Sequence, residues 1–337
     1  MGHAVSLRIG VIGAGAMGAA HVQMLHEAVP LARVSEVFDA DAARARQVAG
    51  SVSARFASSA LAVIESDDVD AVLIAAPDFT HAKLALTCIA AGKPVLCEKP
   101  LALTAEESRR IVDAEVASGR QLVQVGFMRR FDPSYRELRQ TLSDGRHGEP
   151  RLVHHVHRNA TSNTSTTDAN LITGSMIHEF DLVRWLLDDE VESIAVASPI
   201  QDGFRDPQLA TIVMKSGTLV SAEVFVNARY GYDVRCEVVG TSGTASLVPP
   251  AHVSTRIEGA EGVPVGSDFV LRFVSAYQNE LRAWTRDALD GVVTGPNAWD
   301  GHMANLVAEA GVRALQSGTV EQVALEPAPA FYDHRAR

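Results

Sequence analysis

The chain has 337 residues, 47% hydrophobic and 21% charged, a balance that supports about two globular domains with ample core. A formal net charge of −11, with no local Lys/Arg cluster, argues against nucleic acid as a partner. The opening residues lack the apolar segment of a signal peptide, and no apolar run of about 18 residues is present to span a membrane. Met1-Gly-His-Ala-Val-Ser6 matches the loose myristoylation pattern, but a strand begins directly after it and the match is read as chance. Asn159-Ala-Thr and Asn163-Thr-Ser match glycosylation acceptors, without a secretion signal to give them weight. Cys88, Cys97 and Cys236 are odd in number and lack metal-type spacing, which fits reduced thiols in a cytoplasm.

In chain order, Leu7, Ile9, Val11 and Ile12 predict a short buried strand. Gly13, Gly15 and Gly18 follow as G-x-G-x-x-G, opening a helix from Ala16 to about Ala28. The first glycine permits a tight turn, the second a close backbone approach to a pyrophosphate, and the third close helix–strand packing. The helix N-terminus offers unpaired N–H groups to the phosphates, with Ala14, Ala16 and Met17 filling the loop between the glycines. A second strand, Arg33–Phe38, ends at Asp39, about 20 residues past the last glycine, where an acid grips an adenosine ribose. A carboxylate there repels a 2′-phosphate, and Ala40 stands where NADP-binding proteins often carry arginine. NAD is therefore favoured over NADP, although Arg44 and Arg46 offset part of the repulsion.

Ala71–Ala76 is a continuous apolar run ended by Pro77, as in a strand buried on both faces. A helix from Thr80 to about Ala91, a strand at Pro94–Cys97, a helix from Thr104 to about Ser118 with a capping-box start, and a strand at Leu122–Val125 complete the first part. This alternation predicts an α/β, doubly wound parallel sheet. After Gly126 the pattern changes to a helix at Pro133–Leu142 and strands at Leu152–His157, Val191–Ala197, Leu209–Met214, Thr218–Asn227, Val234–Val239 and Thr244–Val248. A helix at Ile177–Leu187 interrupts them, and helices return at Phe269–Leu289 and Gly301–Gln316. The prediction is a Rossmann domain over residues 1–126 and an α+β domain over 127–337 with a large, mostly antiparallel open sheet. The helices at about 269–317 are expected to return toward the first domain. The Thr/Ser/Asn-rich stretch Asn159–Asn170 reads equally as an active-site rim or a plain surface loop.

Ligands of open α/β sheets sit beyond the carboxyl ends of the strands. Glu98-Lys99-Pro100 leaves such an end, and Lys99 reads either as a solvated turn residue or as a group polarising a substrate oxygen. His178 and Asp181 share a helix face, where the carboxylate can hold the imidazole in one tautomer and make it a base; most helix histidines are structural or surface residues. Tyr230 and Tyr232 read as pocket phenols or as strand-end aromatics. Strand alternation sends His155 and His157 to one face and His154 to the other, and no metal-ligand spacing accompanies them; no metal is expected.

These motifs together resemble the Gfo/Idh/MocA family of nicotinamide-dependent sugar and polyol oxidoreductases, and within it the bacterial inositol 2-dehydrogenase branch. The resemblance runs through Gly13-x-Gly15-x-x-Gly18, Ala76-Pro-Asp-Phe-Thr-His81, Glu98-Lys-Pro100, Gly126-Phe-Met-Arg-Arg-Phe131, His157-Arg-Asn159, Ile177-His-Glu-Phe-Asp181 and Tyr230-Gly-Tyr-Asp-Val-Arg-Cys-Glu-Val-Val-Gly240. It implies Lys99 at the reacting oxygen and His178 as the base that takes the hydroxyl proton. It also implies Glu98 on the nicotinamide ribose, with Ala76, Pro77, Asp78, His81 and Arg129 flanking the cofactor. Asn159, Tyr230, Tyr232 and Tyr277 would face substrate hydroxyls, and the open sheet would mediate a homotetramer or homodimer. One position departs: Gly174 stands where such proteins usually carry a substrate-facing aspartate, one helical turn before His178. The resemblance thus implies NAD-dependent oxidation of a cyclitol or sugar hydroxyl. Keto-sugar reduction and an NAD-binding sensor with weakened catalysis remain as alternatives.

Overall fold

The structure is a computed structural model describing residues 6–162, 166–200, 203–248, 254–263 and 265–332. Residues 1–5 of the myristoylation match and Asn163 of the second glycosylation match lie outside the described residues, as do residues 163–165 of the polar stretch. The chain divides into two compact units. One contains residues up to Phe131, Ser275–Asn305 and residues from Glu326 onward; the other contains Asp132–Val274 and Leu306–Leu325.

In the first unit β1 (Leu7–Ile12), α1 (Ala16–Ala28), β2 (Ala32–Phe38), α2 (Ala42–Ser51), β3 (Arg55–Phe56), α3 (Ala60–Glu65), β4 (Ala71–Ile74), α4 (His81–Ala90), β5 (Val95–Cys97), α5 (Ala105–Ser118) and β6 (Val123–Val125) follow one another. The six strands pair in parallel in the order β3-β2-β1-β4-β5-β6. The order reverses at β1, the switch point beyond which such sheets bind ligands. Ile9, Val11, Val72, Leu73 and Ile74 are buried, as expected of strands covered on both faces. Side-chain caps start the helices: Asp41 accepts from Ala43 and Arg44 N–H, Ser59 from Ala62 N–H, and Thr104 from Glu107 N–H. Asp78–Thr80 forms a separate 3₁₀ turn before α4, so that helix begins one residue later than Thr80.

The turn after β1 depends on two missing side chains. Gly13 has φ +100°, and a Cβ on it would lie 2.2 Å from the Ala75 carbonyl oxygen; a Cβ on Gly18 would lie 1.9 Å from the Gly13 carbonyl oxygen. The Gly13 N–H meanwhile donates to Phe38 O at 2.8 Å. Loop, helix and two strand ends thus pack at backbone distance, as only glycine permits.

The second unit opens with α6 (Pro133–Ser143), capped by Asp132, whose carboxylate also receives Arg272 at 2.9 Å. Then come β7 (Pro150–Arg158), a short α7 (Asp168–Asn170), a π-helical turn at Leu171–Met176, and α8 (Ile177–Leu187). The strands β8 (Val191–Ala197), β9 (Gln208–Met214), β10 (Leu219–Phe225), β11 (Asp233–Gly240) and β12 (Thr244–Ser246) follow, then the hairpin β13 (Thr255–Ile257) and β14 (Ala260–Gly262); α9 (Phe269–Asp290) and α10 (Ala298–Ser317) each contribute residues to both units, and β15 (Glu321–Gln322) belongs to the second. The seven-stranded sheet has the order β12-β11-β7-β10-β9-β8-β15. It is antiparallel except for β7 beside β10. Val153, His155 and His157 are buried while Leu152 and His154 are exposed, the period-two alternation of a sheet covered on one side. Nearly all of α8 is buried. A Cβ on Gly311 of α10 would touch Ile172, Ile194 and Phe180.

Gly18→Ala is expected to destabilise the protein by about 1–3 kcal/mol through overpacking against backbone. Gly15→Ser, at a helix N-cap with φ −65° and nothing within 4 Å of its Cβ position, is expected to change stability by only a few tenths of a kcal/mol. Urea midpoints of the two variants check the ordering.

Candidate functional site

In the first unit, a cavity of about 1090 Å³ opens at the glycine turn, lined among others by Gly15, Asp39, Ala40, Arg44, Ala76 and Pro77. Gly15 N-caps α1 without a side-chain cap, so first-turn N–H groups are offered to whatever enters. Open space beside Gly15, where a Cβ meets nothing, is what a close-approaching pyrophosphate needs. Ala16 and Met17 form that first turn. The Asp39 carboxylate is held on both oxygens: Ala14 N–H donates to Oδ2 at 2.7 Å and Asp41 N–H to Oδ1 at 2.8 Å. Each oxygen retains a lone pair for a ribose hydroxyl. Arg44 lies 3.8 Å from Asp39 and 3.3 Å from Asp41. Leu61 and Phe79, 50% and 71% exposed, also line the cavity. Sequence reasoning missed both, since an exposed apolar side chain has no periodic signal. These residues fit a dinucleotide.

Beyond β5 the Glu98 carboxylate bonds His21 Nε2 at 2.7 Å through Oε1, and accepts the Lys99 N–H at 3.3 Å through Oε2. Gly126 packs against it, a Cβ there falling 3.0 Å from Oε2. Burial favours the protonated acid, but the His21 hydrogen bond, with the charges of His21 and Lys99, holds Glu98 below the usual carboxylate range. His21 was missed as well, although it lies one turn past Gly18 on α1. Tyr277 is buried and meets the His21 ring edge-on at 5.6 Å. Arg129, in a 3₁₀ turn at Met128–Phe131, is 1% exposed. Asp78 is exposed at the start of its turn. His81 is 1% exposed, with both ring nitrogens against backbone carbonyls, so neither ring nitrogen is left for a ligand.

In the second unit, β7 and α8 bring histidines together. His157 Nδ1 lies 3.3 Å from Glu179 Oε2, and the His157 ring meets His178 at 6.3 Å and Tyr232 at 5.8 Å between centroids. Tyr232 in turn meets Phe269 and Phe273. Asp181 is buried on the same helix as His178. Asn159 continues β7 with its N–H on Phe225 O, and its side-chain Oδ1 is buried without a partner among the described residues. Tyr230 is 48% exposed; its hydroxyl donates to Asp233 at 2.6 Å and accepts from Arg158 at 3.1 Å. One of the two phenols thus joins the histidines, and the other sits in a surface ion network. Gly174 falls inside the π-helical turn with nothing within 4 Å of its Cβ position. Among the described residues no group of three or more His, Cys, Asp or Glu could hold a metal ion, and no helix is long and apolar enough to cross a membrane.

The chain matches two family descriptions. Residues 7–127 match the Gfo/Idh/MocA oxidoreductase family with NAD-binding Rossmann fold, and residues 135–246 match a Gfo/Idh/MocA C-terminal domain. It is 47% identical over 334 residues to inositol 2-dehydrogenase 2 of Saccharopolyspora erythraea, covering 97% of this chain and 98% of that one. It is 43% identical to inositol 2-dehydrogenase of Klebsiella pneumoniae, over 97% and 99% of the two chains. The crystal structure of myo-inositol dehydrogenase from Lactobacillus casei in complex with NAD(H) and myo-inositol superposes with a TM-score of 0.93 at 33% identity, covering 97% of this chain and all of that one. With both halves matched and relatives aligned end to end, the chain belongs to the Gfo/Idh/MocA family of NAD-binding oxidoreductases.

Proposed function

We propose that this protein oxidises a secondary hydroxyl of an inositol or closely related cyclitol. The observation that carries this reading is the end-to-end likeness to inositol 2-dehydrogenases. NAD⁺, when bound, supplies the hydride acceptor. Asp39 accepts hydrogen bonds from the adenosine ribose, and the first turn of α1 with Ala14, Ala16 and Met17 holds the pyrophosphate. Ala76, Pro77, Asp78 and Arg129 flank the cofactor, and Glu98 holds its nicotinamide ribose. Lys99 donates a hydrogen bond to the reacting oxygen and stabilises the negative charge it gains. His178 accepts the hydroxyl proton. Asn159, Tyr232 and Tyr277 bind further hydroxyls; the unpartnered Asn159 Oδ1 supports this, because a buried acceptor is costly unless a donor reaches it. The surface network around the Tyr230 hydroxyl supports an indirect role for that residue.

Gly174 leaves volume where a carboxylate is implied, and we assign that volume to a group of the substrate itself. The exposed face of the second sheet carries Leu152, Leu209 and Leu219, at 37%, 47% and 44% exposure, which supports a homodimer or homotetramer through that sheet. Three buried free cysteines support a reducing, cytoplasmic setting.

Three outcomes are expected. NAD⁺ reduction is observed with at least one inositol isomer or aminocyclitol, and Lys99→Ala lowers kcat by about 10²–10⁴-fold while calorimetric NAD⁺ affinity is retained; near-normal turnover of Lys99→Ala would refute its assignment. Gly174→Asp, which has room to fit, shifts kcat/KM toward myo-inositol by about tenfold, the worth of one added hydrogen bond. Asp39→Ser weakens NAD⁺ binding and narrows its preference over NADP⁺ by about tenfold, read by titrating each cofactor.

A further inference from the structure

His81 begins α4, and its imidazole is 1% exposed. Nδ1 lies 2.7 Å from the carbonyl oxygen of Pro100, and Nε2 lies 2.9 Å from that of Ala76. A carbonyl oxygen can only accept. A neutral imidazole has one N–H, so it can satisfy one of these carbonyls and must turn a lone pair on the other. Both contacts are hydrogen bonds only when both nitrogens carry protons. We propose that His81 is a buried imidazolium that ties the end of β4 to the turn carrying Lys99, and is thereby a positioning residue for hydride transfer.

The two carbonyls belong to segments with separate tasks. Ala76 lines the cofactor cavity, and Pro100 directly follows Lys99. A single rigid ring, bonded at both ends by charge-assisted hydrogen bonds, fixes the spacing between them. Burial opposes the charge, but the neighbouring Cys97 and the two carbonyl hydrogen bonds outweigh it and push the histidine up to about 10. The ionisable groups acting on the ring are Cys97 of β5 and Glu98 just after it; in turn, the His81 charge is among those holding the Glu98 acid down. An ordinary histidine loses its proton near pH 6.5 and would release one segment at physiological pH. This one does not. The sign for stability follows: the contribution is complete below about pH 6.5, the unfolded value, and is lost as pH rises through about 10.

The positioning role rests on the function proposed for Lys99, whereas the protonation state does not. Long-range ¹H–¹⁵N spectra of the full chain labelled with ¹⁵N-histidine, at pH 8, are expected to show the His81 ring with two imidazolium-type nitrogens. The signals are assigned by their loss in His81→Gln. Should that variant not fold, neutron diffraction from crystals of the deuterated wild type grown near pH 7.5 reads the same state directly, with a deuteron on each ring nitrogen. A neutral tautomer by either method overturns the proposal. Folded His81→Gln is expected to lower kcat and raise the KM for NAD⁺, each by about tenfold. Its melting temperature is expected to depend less on pH between 7 and 10 than that of the wild type. Unchanged kinetics with parallel melting curves would overturn the positioning role, and an absence of turnover on every polyol would overturn the proposed substrate while leaving the spectroscopic result standing.

Discussion

The first unit depends on a backbone-to-backbone approach that any side chain would prevent. With a Cβ on Gly18 falling 1.9 Å from the Gly13 carbonyl oxygen, and one on Gly13 falling 2.2 Å from that of Ala75, α1, β1 and the end of β4 meet without spacers. Everything the cofactor groove offers follows from that closeness. The α1 N-terminus points its free N–H groups from a fixed place. Ala14 N–H is brought to Asp39, so the carboxylate is oriented before a ligand arrives. The cost of ordering these groups has been met in folding rather than in binding, which is what preorganisation means physically.

The same logic extends to the end of β5, where polar groups hold one another instead of meeting water. Glu98 is held between His21 and the Lys99 backbone, and a side chain on Gly126 would press on it, with a Cβ there falling 3.0 Å from Oε2. Lys99 itself thus extends from a backbone restrained on both sides, by Glu98 before it and by Pro100, whose carbonyl meets His81, after it. In the second unit the corresponding restraint is aromatic: His157 bridges His178 and Tyr232, while Glu179 orients its Nδ1. The histidine proposed as a base is therefore packed against the His157 ring and does not stand alone on a helix face.

What could be read from the chain was whatever has a period or a cap. The glycine turn, Asp39, the apolar run at Ala71, the Thr104 cap and the alternation at His154, His155 and His157 each state a local rule that the fold obeys. The parallel first sheet and the mostly antiparallel second one followed from those. Less was legible where the energetics are tertiary. Between Asp39 and Ala71, β3 is two residues long and α3 is six, too short for periodicity to register. The π-helical turn before α8 has no propensity signature, and Gly174 falls inside it. Tyr230 and Tyr232 are the same residue type two apart, yet one is buried among rings and the other lies in an ion network, a choice made by neighbouring strands. His21 gave no signal because its partner, Glu98, is distant in sequence.

The first unit is also discontinuous along the polypeptide. Glu115 on α5 is buried and accepts N–H groups from Leu122 and Val123, and its other oxygen takes the hydroxyl of Tyr332 at 2.6 Å. The ribosome makes that tyrosine some 200 residues after the acid, at about 5–20 residues per second. For that interval the nascent parallel sheet carries a carboxylate whose last donor does not yet exist. Completion of this unit must wait until residue 332 has been synthesised.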